Sequence, residues 1–280
     1  MDLKAEIQKQ KPFFLEQKIR FWDTEEFSRL EPFIIETTWE DSTSINIFLV
    51  EGTRHPDYKG LTWLEFLDKG KRMQLNLDLF RTNPDYYLGT DHKMPTMSYL
   101  QLDGGPYFVD ADGNHRTCIA KIFFFLQGLT MLHGVTVTRH RVDRDAMELY
   151  GRLLKRFRFV RPWKRKLSRE DTAGWMRETF EPVFEVVDKR GRVFNLSKDD
   201  ALTLLSQSHS TFLGKLVNLF RRNIPGKGSQ NHSKGGDVDE CRFDSYADRL
   251  CRRDRYTGGK VAENQKSKIV ANIIGGLDGR

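Results

Sequence analysis

Apolar and polar positions alternate with a period of two in several stretches of this chain, and recur with helical spacing in others. Phe33-Ile34-Ile35 and Ser44–Val50 read as strands, as does Ser98–Leu102. Asp103-Gly104-Gly105 is a hairpin signal, so Tyr107–Ala111 is expected to return antiparallel. Leu132–Val142 alternates, with Val135, Val137, Arg139 and Arg141 on one face and Thr136, Thr138 and His140 on the other. Helical spacing predicts a helix over Thr62–Gln74, where Trp63, Phe66 and Leu67 share a face and Lys69, Lys71 and Arg72 close the end. A second helix follows Gly113 and runs to about Gln127. A third covers Asp145–Phe159, with Ala146, Leu149, Leu153, Leu154 and Phe157 as its apolar stripe.

Further along, Ser168-Arg169-Glu170-Asp171 has the form of an N-cap and predicts a helix to about Phe180. Phe184–Asp188 and Arg192–Leu196 read as a hairpin about Lys189-Arg190-Gly191. Ser197-Lys198-Asp199-Asp200 opens another helix, and Thr211–Arg222 is a last apolar one. After Asn223 large apolar residues become scarce. Residues 224–280 are expected to be a flexible tail, holding a short charged helix at Asp244–Arg255 and an apolar patch at Ile269–Ile274.

The pattern is that of an α+β protein: a small mixed sheet with flanking helices, a mostly helical C-terminal extension and a tail. The expected organisation is an N-terminal arm over 1–30, anchored by Phe13, Phe14, Ile19, Phe21 and Trp22, then a domain over 31–142. A basic helical extension over 143–223 and the tail over 224–280 complete it.

Composition narrows the function classes. A net charge of +7, from 46 basic and 39 acidic residues, favours an anionic partner, nucleic acid among them. The three cysteines, at 118, 241 and 251, form neither a zinc pattern nor a disulfide framework, and point to a reducing, cytoplasmic setting. The charged stretch Met1–Lys11 lacks the apolar core of a signal peptide. The longest apolar run, Ile119–Leu126, is interrupted by Lys121 and is too short to span a bilayer, so no membrane insertion is expected. There is no phosphate-loop motif and no nucleophile elbow.

The chemistry concentrates at Tyr107–Ala120. A strand that turns through Gly113 into a helix leaves the first helical amides unpaired, next to the positive end of the helix dipole. That is a phosphate-binding arrangement, with Gly113, Asn114, His115 and Arg116 as its contacts. Asp110 and Asp112 stand beside it as candidate ligands for Mg2+ accompanying ATP or another nucleoside triphosphate. In a hydrolytic mechanism His115 is the acid–base group, Arg116 steadies the phosphoryl charge and Asp112 positions the metal. Asp-Gly is equally the commonest tight-turn pair, and an Arg after a turn is ordinarily a solvated group. The densest basic stretch is Arg152, Lys155, Arg156, Arg158, Arg161, Lys164, Arg165 and Lys166, interleaved with Phe157, Phe159 and Trp163. Such a stretch can track a nucleic-acid backbone and stack bases, or can be a solvated helix face over a core.

Strand, then Gly-x-x-Arg opening a helix, then Ala four residues later (Gly113, Arg116, Ala120) resembles the signature of the ParB/sulfiredoxin fold. The Asp-Gly-Asn-His-Arg form is similar to the ParB-like nuclease and NTPase branch, and the likeness covers Arg81–Val142. It implies nucleotide or DNA phosphates at the helix N-terminus, with ATPase and DNase activity. Within the superfamily it also resembles the Osa-type plasmid fertility-inhibition proteins, which block conjugative DNA transfer. Sulfiredoxins carry Cys two residues before the motif Arg; here that residue is Asn114, and Cys118, among Ile119, Ile122 and Phe123, is expected to be buried and inert. The alternatives are a non-catalytic adaptor that binds DNA or a conjugation coupling protein, and a ParB-like partition or transcription factor; no clear helix-turn-helix pattern follows the motif, although Asp199–Arg221 could hide one.

Overall fold

The computed structural model of the chain describes residues 2–188 and 190–206. The expectations for Thr211–Arg222 and for 224–280 lie outside the described residues. Eight helices and nine strands are described: α1 Leu3–Gln10, β1 Arg20–Phe21, α2 Thr24–Leu30, β2 Ile34–Asn46, β3 Val50–Thr53, α3 Trp63–Lys69, α4 Met73–Thr82, α5 Asp85–Leu88 and β4 Ser98–Leu102. They continue with β5 Tyr107–Val109, α6 Asn114–Gln127, β6 Met131–Val142, α7 Arg144–Arg156, β7 Phe159–Thr172, β8 Trp175–Val187, β9 Val193–Leu196 and α8 Lys198–Ser206.

The strands form one mixed sheet in the order β1-β3-β5-β4-β6-β2-β8-β7, with β9 paired to β8. β1, β3 and β5 run parallel, as do β4 and β6; the hairpin β4–β5 is antiparallel, as its Asp-Gly-Gly turn predicts. Of the expected strands 33–35 and 44–50, Ile34-Ile35 and Ser44–Asn46 are the two ends of one continuous strand, β2, which bulges against β6 between Glu40 and Ile45, whereas Ile47–Leu49 is a 3-10 turn and Val50 opens β3. The middle of β2, Thr37–Asp41, is half-buried throughout. A strand wetted on both faces carries no apolar alternation, and so reads as a loop.

The helix expected over 62–74 is two helices. Thr62 and Glu65 make a reciprocal capping box at the start of α3. The Gly70 amide closes onto the Phe66 carbonyl at 2.9 Å, Arg72 takes the left-handed conformation (φ 67), and α4 starts afresh. The helix expected over 168–180 is absent: these residues form the β7–β8 hairpin, turning at Gly174 (φ 79). The Ser168 hydroxyl, expected to cap a helix, lies 2.7 Å from that of Thr179 across the ladder. Cross-strand pairing of Lys and Arg on β7 with Glu on β8 overrides the local cap signal. Residues 143–206 therefore combine α7 and α8 with three strands, and β2 joins them to the main sheet through β8.

The main core lies between the sheet and α1, α3, α4 and α6. The α6 residues Cys118, Ile119, Ala120 and Ile122 are wholly buried there, as the apolar run predicts. The N-terminal arm contributes Leu3, Ile7, Phe14 and Leu15. A smaller cluster of Trp22, Leu100 and Phe108, joined by Phe27, forms separately beside α2.

Candidate functional site

The carboxyl ends of β1, β3 and β5 converge. The Trp22 amide donates to the Thr53 carbonyl and the Arg54 amide to the Val109 carbonyl, each at 2.9 Å. Chain ends of parallel strands are a common place for ligands, because the following turns and helix starts gather there. Here they meet the start of α6.

Gly113 sits at the N-cap of α6 with φ 109, a conformation that disfavours any residue with a Cβ. A Cβ built there would lie 3.2 Å from the Met97 Cα. The glycine is thus demanded by backbone conformation and by packing on Met97, rather than by an approaching phosphate. No side chain caps the helix, so its first amides have no side-chain acceptor.

The motif residues diverge from that point. Asn114 Oδ1 accepts from the Thr53 hydroxyl at 2.6 Å, and the Thr53 oxygen accepts from the His55 amide at 2.9 Å. His115 turns inward between Tyr58 and Phe66, with ring centroids 5.5 and 5.2 Å away. Its Nε2 lies 2.5 Å from the Lys71 carbonyl, an acceptor only, so Nε2 carries the proton. Burial lowers the pKa of His115, against the raising effect of that carbonyl, so the imidazole is neutral at pH 7. With the Nε2 proton given to the backbone, any acid–base role of His115 falls to Nδ1.

Arg116 is the motif side chain that faces open space. Its guanidinium bends back to Asp112 at 2.5 Å with 13% of the side chain exposed. Beside it opens a groove of about 340 Å³ between α4, α5 and the Met94-Pro95 segment, with Leu79, Phe80, Tyr87 and Met94 among its walls. Tyr86 lines the same groove, and its hydroxyl donates to the Pro95 carbonyl at 2.6 Å.

The carboxylates expected to hold Mg2+ are each engaged by an arginine. Asp110 pairs with Arg54 at 2.6 Å, and Asp112, besides pairing with Arg116, accepts from the Gly113 amide at 2.7 Å. Among the described residues no three His, Cys, Asp or Glu side chains come together as a metal site. To bind a divalent ion, each carboxylate would have to leave its arginine.

The basic stretch is not one helix. Arg152, Lys155 and Arg156 lie on α7, Arg158 lies between elements, and Arg161, Lys164, Arg165 and Lys166 lie on β7. Arg156 donates to the Leu204 carbonyl at 2.9 Å. On β7, Arg161 pairs with Glu185 at 3.0 Å, Lys164 with Glu31 at 3.4 Å, Arg165 with Glu181 at 2.5 Å and Lys166 with Glu178 at 2.6 Å. Each of these β7 cations is thereby balanced by a carboxylate within the fold. Cys118 is buried, and burial pushes its thiol up to about 12, as expected of an inert thiol.

Sequence reasoning missed Thr53 and Tyr86 as partners of the motif. Thr53 ends β3, whose sequence Val50-Glu51-Gly52-Thr53 holds a single apolar side chain and gave no signal. Tyr86 follows Asn83-Pro84 and carried no signal beyond its aromatic ring.

No family model, curated protein or solved structure matches the chain. Among the described residues, no helix is long and apolar enough to cross a membrane.

Proposed function

We propose that the chain binds a phosphate-bearing ligand, a nucleotide or a nucleic-acid backbone, at the mouth of α6. The observation that carries this reading is Arg116, a largely buried guanidinium one turn into a helix whose first amides have no side-chain cap. A guanidinium offers five N–H donors, and the ion pair with Asp112 leaves others for an anion. The Gly113, Arg116 and Ala120 signature resembling ParB/sulfiredoxin proteins supports the same ligand class.

On this reading the protein is first a binding module. Hydrolysis of the ligand, as in the ParB-like NTPases and nucleases, would need a base and a metal. The Lys71 carbonyl fixes the Nε2–H tautomer of His115 and leaves Nδ1 as its basic nitrogen, while Asp110 and Asp112 are paired with arginines. The engagement of both carboxylates favours the adaptor form of the proposal, in which bound nucleotide or DNA, or a partner in DNA transfer, is recognised without turnover.

The test is binding and hydrolysis of labelled ATP and of a short DNA duplex, with Mg2+ and with EDTA. Wild type should bind in both, and Arg116→Ala should bind at least about tenfold more weakly, the effect of one charge-assisted contact. Equal binding by the two proteins would refute the assignment. Turnover that needs Mg2+ and vanishes in Arg116→Ala would add the enzymatic activity; binding without turnover would leave the adaptor.

A further inference from the structure

The groove beside Arg116 is more apolar than a phosphate site requires. Leu79 and Met94 stand at its rim with 58% and 70% of their surface exposed. Both are large side chains left uncovered where they flank one guanidinium. Phe80 and Tyr87 form the buried wall behind them. The cation itself is half-neutralised, because Asp112 lies 2.5 Å from it. With Asp112 beside the guanidinium, the affinity of this groove for an anion draws on its apolar walls as well as on charge, and one negative charge suffices to meet the remaining donors.

We propose that this groove takes a small amphipathic monoanion, with its carboxylate, sulfonate or phosphodiester charge on Arg116 and its flat or aliphatic body against Leu79 and Met94. The inference rests on the reading of Arg116 as an anion anchor and adds the chemical class of the attached group. The volume, about 340 Å³, lies at the lower end of the range for small-molecule sites. Polar rim groups suit such a body. Asn83, which lines the groove, uses its Oδ1 to accept from the Tyr86 amide at 3.3 Å, which leaves its Nδ2 donors. Asn76 uses its Nδ2 on the Arg72 carbonyl at 2.9 Å, which leaves its oxygen. The walls belong to α4, α5 and the 94–95 segment, which fix the apolar surface relative to the charge at α6.

The experiment is a fluorescence titration of the full chain with anilinonaphthalene sulfonate, an aromatic monoanion, and with phenylnaphthylamine, its uncharged counterpart. Saturable binding of the sulfonate is expected, at least about tenfold tighter than that of the amine. Leu79→Asp alters an exposed side chain and leaves the core intact, and it should weaken sulfonate binding at least about tenfold, as should Arg116→Gln. Circular dichroism of both variants checks that they fold. Sulfonate binding that is unchanged in Leu79→Asp, or an amine that binds equally well, would overturn the proposal. ATP titrations on the same proteins separate the two readings. Leu79→Asp that loses the sulfonate but keeps ATP supports both. Sulfonate binding in a wild type that binds no ATP supports this inference and sinks the phosphate reading. ATP binding that depends on Arg116, with no sulfonate binding, does the reverse.

Discussion

Lys121 is the residue whose position is hardest to reconcile with its chemistry. It lies on α6 with 1% of its surface exposed, and its ammonium donates to the carbonyls of Val50 at 2.6 Å and Ile47 at 3.4 Å. The Trp63 ring lies 4.7 Å away, with Phe14 and Phe48 further out. Burial lowers its pKa from 10.5 to about 8. The unfolded chain holds this proton more tightly than the fold does, so stability should rise as pH climbs from about 8 toward 10.5. At 1.36 kcal/mol per pKa unit the gain is about 3 kcal/mol. Urea unfolding across that range should show the rise in wild type and a flatter profile in Lys121→Met; parallel profiles would refute it. Gly113 gives a second prediction at this scale. Gly113→Ala must hold a Cβ in the left-handed region against Met97, and should cost about 1–2 kcal/mol by denaturant midpoint. An unchanged midpoint would mean that the turn relaxes without penalty.

At the scale of elements, the motif strand, its turn and α6 were legible. A hairpin turn at Asp103–Gly105 and a glycine before an unbroken apolar run are local signals, and local packing obeys them. The β7–β8 hairpin was not legible, because its order lies in which charge sits opposite which. Periodicity in sequence cannot reveal that Arg165 will face Glu181 or Lys166 will approach Glu178. The groove was hidden for the same reason: Leu79, Tyr86 and Arg116 come from separate elements, and only Arg116 belonged to a motif. The buried state of Lys121 follows from tertiary packing, since its own helix pattern showed only a break in an apolar run.

For the molecule as a whole, the net charge of +7 does not fall on β7: its cations meet carboxylates of β8 and of the turn before β2. If DNA is a ligand, those carboxylates oppose it. Glu178→Gln combined with Glu181→Gln should release Lys166 and Arg165 toward phosphate. DNA binding should then tighten and its salt dependence steepen by about one to two phosphate contacts. Filter binding across a salt series reads both quantities, and an unchanged slope would exclude β7 from any DNA interface.

The central place of β2 sets a timetable for the newly made chain. Thr37 contacts His140, 103 positions later, and Glu36 contacts Arg177, 141 positions later. While the ribosome is still producing the intervening residues, β2 has neither neighbour and shows two bare edges, a surface prone to wrong pairing. Translation therefore exposes β2 long before it can be covered, and a chain released early, ahead of β6, leaves its central strand open on both sides.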